Sequence, residues 1–222
     1  MSLSSEAHTR YRLASVLAAV LDDGGEKAAP FQSLATEILL SHVDKGRRGL
    51  AICGAAEGAG ASFTTASLGV ALARVGVETL LVDANLRQPS LDQLIVPDPP
   101  VRSGLLAYLR GEVDDVSALA RQQVGAHLSV LYAGGVENSP QELFDTRRFK
   151  ALVSACMRDH QLVIIDTPPA NQCAETRSIA VAAGYAVVVA RRNVSFMSDL
   201  STLTRDLTQD GVNVIGAVFN GA

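Results

Sequence analysis

Six unbroken apolar runs constrain what this chain can become: "GLAIC" (49–53), "ETLLVD" (78–83), "LSVLYA" (128–133), "LVIID" (162–166), "YAVVVA" (185–190) and "VNVIGAVF" (212–219). A strand with one wet face alternates apolar and polar residues. These runs do not alternate, so they read as strands covered by helices on both sides. Helical patterns lie between them. Ala29 to Val43 carries Phe31, Leu34, Ile38 and Leu39 on one stripe, Ser62 to Val75 is almost wholly apolar, and Met197, Leu200, Leu203 and Leu207 form a stripe stopped by Gly211. "SPQE" (139–142) has the form of a capping box with Pro140 at the first helical position. Strands alternating with helices imply right-handed crossovers, so the expected fold class is α/β: a mostly parallel sheet flanked by helices on both faces. The one soft linker, "DDGGEKAAP" (22–30), divides an N-terminal extension, 1–28, from a main domain, 29–222.

The charge pattern removes several function classes. A net charge of -4 with scattered basic pairs gives no pull toward nucleic acid. Cys53, Cys156 and Cys173 are far apart in apolar surroundings, with neither metal nor disulfide spacing, which reads as reduced core thiols in a cytoplasmic protein. The longest apolar run, Ile179 to Ala190, is too short to span a bilayer. Leu13 to Leu21 lies between Glu6 and Asp22-Asp23 with no small-x-small site, and reads as a helix rather than a signal segment.

Function is concentrated in "GLAICGAAEGAGASFTT", a strand, a glycine loop and a helix start. Loop N–H groups at a helix N-terminus bind phosphate. Two nucleotide readings compete. As a dinucleotide loop, Gly54, Gly58 and Gly60 resemble the turn of short-chain dehydrogenases, an NAD(P)-binding alternative in which Asp83 would meet a ribose. Those enzymes need a tyrosine followed four residues later by lysine. Here Tyr11, Tyr108, Tyr132 and Tyr185 are followed at that spacing by Ser15, Glu112, Val136 and Val189. As a mononucleotide P-loop, Ser62 stands in the magnesium-binding place and Gly60 is correct, but Ala61 stands where lysine belongs. "VIIDTPP" (163–169) supports this second reading, because Asp166 ends a strand where a carboxylate holds magnesium through water.

With these motifs in order, the chain resembles the cytoplasmic tyrosine-kinase domain of bacterial capsule and exopolysaccharide biosynthesis, a branch of the P-loop ATPases that includes cell-division-site and partition ATPases. The resemblance runs from about Phe31 to Asn220 through "FQSLATEILL", the glycine loop, "LLVDANLRQP", "GLLAYLRGE", "LSVLYAGG…SPQELF", "VIIDTPPA" and "VIGAVFN". It implies a P-loop fold binding ATP or ADP with Mg. The phosphates would lie at Gly58, Ala59, Gly60, Ala61, Ser62 and Phe63, the base near Asn220, and the metal with Ser62, Asp83 and Asp166. It also implies as partner the cytoplasmic tail of a membrane polysaccharide co-polymerase.

The chain departs from each functional part of that pattern. Ala61 replaces the lysine, and Lys27, Lys45 and Lys150 all lie far from the loop in sequence. Asn85 replaces the second acid after Asp83. The Glu-x-x-Arg-x-x-Arg ring motif falls on Ala29, Gln32 and Ala35, and no tyrosine cluster follows Asn220. Losing one donor to developing charge costs roughly a hundredfold to a thousandfold in rate. The expectation is therefore a catalytically impaired, kinase-like partner with vestigial Asp83 and Asp166. It would be a monomer or dimer rather than a ring, cytoplasmic, held at the inner face of the membrane through its partner and not inserted in it. An active tyrosine kinase or ATPase is the alternative, and a module with no nucleotide is the bland case.

Overall fold

The computed structural model describes residues 10–20, 22, 28–116 and 119–221. In chain order the elements are β1 (Arg10–Leu13), α1 (Ser15–Val20), α2 (Ala28–Ser41), β2 (Gly49–Gly54), α3 (Ala61–Arg74), β3 (Thr79–Asp83), α4 (Leu91–Leu94), β4 (Ile95–Asp98), α5 (Leu105–Leu109), β5 (Arg121–Gly125), β6 (Leu128–Leu131), α6 (Gln141–Phe144), α7 (Arg147–Asp159), β7 (Leu162–Asp166), α8 (Glu175–Ala183), β8 (Tyr185–Arg191), α9 (Met197–Gln209) and β9 (Asn213–Asn220). Each of the six apolar runs becomes a strand. Together with β5 they form one seven-stranded sheet in the order β5-β6-β3-β7-β2-β8-β9, parallel except for β5.

The unbroken apolar character of β2 follows from this layering. Leu50 and Ile52 point into the cluster shared with α1, α2 and α3. Ala51 and Cys53 point into the opposite cluster, shared with α5, α7, α8 and α9. Both faces are dry, so neither set of alternate positions is polar. β9 corrects the expectation of double cover, because it is the last strand of the sheet and most of its residues are exposed or half-buried.

The strand order decides between the two glycine-loop readings. In a dinucleotide fold the first strand pairs with the next one. Here β7 is inserted between β2 and β3, and β2 lies between β7 and β8. The dehydrogenase alternative is thereby overturned, and Asp83, fully buried, is not available to a ribose.

Two local expectations also change. Ser139 does not cap a helix: its N–H donates to Glu137 Oε1 at 3.1 Å, and Pro140 precedes the short α6 without a side-chain cap. The working cap nearby is Thr146, whose Oγ1 accepts from Phe149 N–H at 3.2 Å to start α7. Within the expected extension 1–28, β1 pairs antiparallel with β4, and Leu17 of α1 is fully buried against the α3 side of the sheet. Residues 1–9, 21 and 23–27, among them Lys27 and most of the soft linker, lie outside the described residues.

Candidate nucleotide site

The loop from Gly54 to Gly60 joins β2, at the middle of the sheet, to α3. Its start is fixed to the neighbouring strand by Ala55 N–H donating to Val189 O at 3.0 Å. Its end turns through Gly60, which has φ +94 and caps α3 in the left-handed region. A side chain at that position would also collide, since an added Cβ would stand 2.5 Å from Asn220 Nδ2. Glycine at 60 is required by its dihedral, while the space is held by the end of the Asn220 side chain, which would have to turn aside. Thr64 N–H and Thr64 Oγ1 both donate to Gly60 O at 2.9 Å, closing the first turn. As at any helix start, the N–H groups ahead of Thr64, those of Ala61, Ser62 and Phe63, have no intrahelical acceptor. They face a cleft of about 340 Å³ whose walls include the loop, Ala61, Ser62, Phe63, Asn85, Gln88, Ser90 and Thr167.

Beneath the cleft, the two strand-ending acids stand directly opposite one another, because β3 and β7 pair in parallel with Asp83 in register with Asp166. Both are fully buried. Asp83 is saturated with donors: Oδ1 accepts from Asn85 N–H at 3.3 Å, and Oδ2 accepts from Ser90 and Leu91 N–H, each at 3.1 Å. It therefore shapes the 84–91 loop. Asp166 Oδ1 accepts from Thr65 Oγ1 at 3.2 Å, while Oδ2 has no hydrogen-bond partner in the protein. Burial pushes the Asp83 carboxyl up to about 7 despite its three N–H donors. Burial raises Asp166 well above the usual carboxylate range, and the neighbouring Asp83 charge adds to this; the Ser62 and Thr65 hydroxyls oppose it.

This donor set fits magnesium held together with a phosphate. The Ser62 hydroxyl is close enough to Asp166 to influence its carboxyl, Asp166 Oδ2 is without a partner, and magnesium relies on one or two carboxylates plus substrate phosphates. Among the described residues no group of three or more His, Cys, Asp or Glu could hold a metal without such help. Asp83, with both oxygens occupied, fits the metal less well than Ser62 and Asp166.

The remaining candidates are assembled around the loop. Asn220, in register with Arg191 across β8 and β9, donates from Nδ2 to Ala59 O at 3.5 Å. Arg191 Nη1 donates to Gly58 O at 3.4 Å. Ala61 offers only a methyl group to the cleft wall, and among the described residues no lysine or arginine lines the cleft. Two partners were not legible beforehand: the fully buried Glu175 of α8 pairs with Arg87 Nε at 2.5 Å, and Arg87 Nη1 also donates to Asn138 O at 2.5 Å. A lone Glu in a helix's first turn gives no sequence signal of burial.

Comparison with known proteins agrees with this geometry. No family model matches the chain. EpsB of Ralstonia solanacearum is 30% identical over 220 residues, covering 99% of this chain and 29% of that protein. Tyrosine-protein kinase etk of Escherichia coli K12 is 26% identical over 213 residues, covering 96% of this chain and 29% of the relative. The solved kinase domain of that tyrosine kinase superposes with a TM-score of 0.83 at 26% identity, over 93% of this chain and 80% of the domain. These matches support the bacterial tyrosine-kinase family of P-loop proteins. It spans 29% of the length of the first curated relatives it matches. The wider fold is shared with the Mg-ADP complex of the septum site-determining protein MinD of Pyrococcus horikoshii, at a TM-score of 0.67 and 22% identity over 78% of this chain and 69% of that one.

Within this bacterial tyrosine-kinase frame the departures acquire positions. The ring-motif positions lie on α2, where Ala29 and Gln32 are exposed and Ala35 is buried in the core. Asn85 keeps the backbone role of an acid, since its Oδ1 accepts from Gln88 N–H at 3.2 Å, without the charge.

Proposed function

We propose that this chain is a nucleotide-binding but catalytically impaired member of its family, acting as a regulatory or scaffolding partner in capsule or exopolysaccharide assembly. The observation that carries this reading is a cleft walled by the glycine loop and the start of α3, with no cationic side chain among the described residues on its walls. Phosphoryl transfer is almost entirely positioning and charge stabilisation. Binding by loop N–H groups survives the loss of lysine better than transition-state stabilisation does, because the lysine's full charge matters most where charge develops. Ser62 and Asp166 would hold magnesium, which would neutralise phosphate charge. Asp83 organises the loop that carries Asn85, and Asn220, which donates to Ala59 O on the glycine loop, would meet the base. In the cell the reading places the chain in the cytoplasm, as a monomer or dimer, docked on the cytoplasmic tail of a membrane polysaccharide co-polymerase. No described helix is long and apolar enough to cross a membrane.

Calorimetric titration with Mg-ADP tests the binding half, and radiolabelled ATP turnover tests the catalytic half, alone and with the co-polymerase tail added. Saturable binding with no turnover above a Ser62→Ala control supports the reading. Stoichiometric self-labelling of purified protein refutes the impairment. One observation favours a second reading, an active ATPase or kinase: Arg191 brings a guanidinium to the Gly58 carbonyl, at the rim of the loop. Turnover that disappears in Arg191→Gln would establish it.

A further inference from the structure

We propose that the cleft selects a nucleoside diphosphate over the corresponding triphosphate, so that the chain reports the spent form of the nucleotide. This rests on the nucleotide-binding reading above. Among the described residues, the walls of the cleft carry one ionisable side chain, Glu57, and it is acidic and exposed on the loop. The wall opposite the loop is built from Asn85, Gln88, Ser90 and Gln93, all neutral. Neither nearby arginine is among the cleft's lining residues. Arg87 is bound to the buried Glu175 carboxylate and to Asn138 O, and Arg191 donates to Gly58 O on the rim.

Backbone N–H groups and the positive end of α3 suit one tightly wrapped phosphate group. In a complete P-loop, lysine reaches the outer β- and γ-phosphates. A third phosphate adds negative charge, and this cleft meets it with amides, a serine hydroxyl and Glu57 instead of a cation. The carboxylates of Asp83 and Asp166 below add no positive charge. The β-phosphate loses the lysine in both ligands alike, so the difference between them falls on the γ-phosphate, which only the triphosphate carries. Its size is that of one missing charge-assisted hydrogen bond, about tenfold in dissociation constant.

The test is a titration of the whole chain with Mg-ADP and with a magnesium-bound, non-hydrolysable ATP analogue, in the native protein, in Ala61→Lys and in Glu57→Gln. The native protein is expected to bind the diphosphate about tenfold more tightly. Ala61→Lys is expected to close or invert that gap. Glu57→Gln, a surface change with no buried partner to lose, is expected to narrow it, and serves if the lysine variant does not fold. Equal or tighter binding of the triphosphate analogue by the native protein overturns the inference and leaves nucleotide binding intact. A gap unmoved by either variant overturns its electrostatic cause. Binding of neither nucleotide refutes the nucleotide reading itself.

Discussion

Replacing Asp166 by Asn should stabilise the empty protein, and by more as pH rises. Asp166 is fully buried opposite Asp83, with one oxygen accepting from Thr65 and the other partnerless. In the unfolded chain it titrates near a pKa of about 3.9. In the fold burial and the Asp83 charge raise it well above that. Between those two values the native state holds a proton that the unfolded state has released. The unfolding free energy then has a negative pH slope, about 1.4 kcal/mol per pH unit for one proton. The stabilising contribution is complete below the unfolded pKa and is lost as pH rises toward the folded one. Asn keeps an oxygen for the Thr65 hydroxyl and offers N–H donors where Oδ2 had none, so the variant escapes this slope. For a domain of this size each kcal/mol is worth about 2–4 °C of melting temperature. The melting-temperature advantage of Asp166→Asn should therefore widen by about 3–6 °C per pH unit above pH 5, until Asp166 itself ionises in the fold. The assay is thermal unfolding of both proteins from pH 5 to 8 in chelator and without nucleotide. A pH-independent difference would refute the argument, because it would mean that Asp166 titrates in the fold as it does in water.

Three further outcomes are expected. Gly60→Ala should destabilise by more than about 1 kcal/mol, through a positive φ and a contact with Asn220; in thermal melts Asn220→Ala should restore the contact part alone. Arg87→Met should cost more than Glu175→Gln in denaturant unfolding, by an amount on the order of 2 kcal/mol, because the first strands a buried carboxylate while the second leaves a partly exposed guanidinium that water can solvate. Leu17→Ala should cost about 2–5 kcal/mol if α1 is part of the folded unit, and near zero in the same unfolding measurement if it is a loose appendage.

Much of this molecule was legible in its letters because the information was local. Strands buried on both faces must be apolar at every position, so "LVIID" and "YAVVVA" declared themselves, and Gly211 marked the end of α9 through the left-handed turn it adopts, φ +84. The missing lysine at Ala61 is likewise a fact of one position. β1 and β4 escaped notice because an edge pair of four residues each carries too little periodicity to stand out. What only the tertiary structure decided were relations between distant segments. The insertion of β7 between β2 and β3 excluded the dehydrogenase fold. The parallel register that sets Asp83 against Asp166 turned two ordinary strand-ending acids into a buried, mutually repelling pair, one saturated with donors and one short of them. Glu175 found its arginine only through the packing of α8 against the loop after β3. Pattern along a chain reports which faces are dry; charge energetics depend on which groups the fold brings within a few ångströms of each other, and no spacing in the sequence states that.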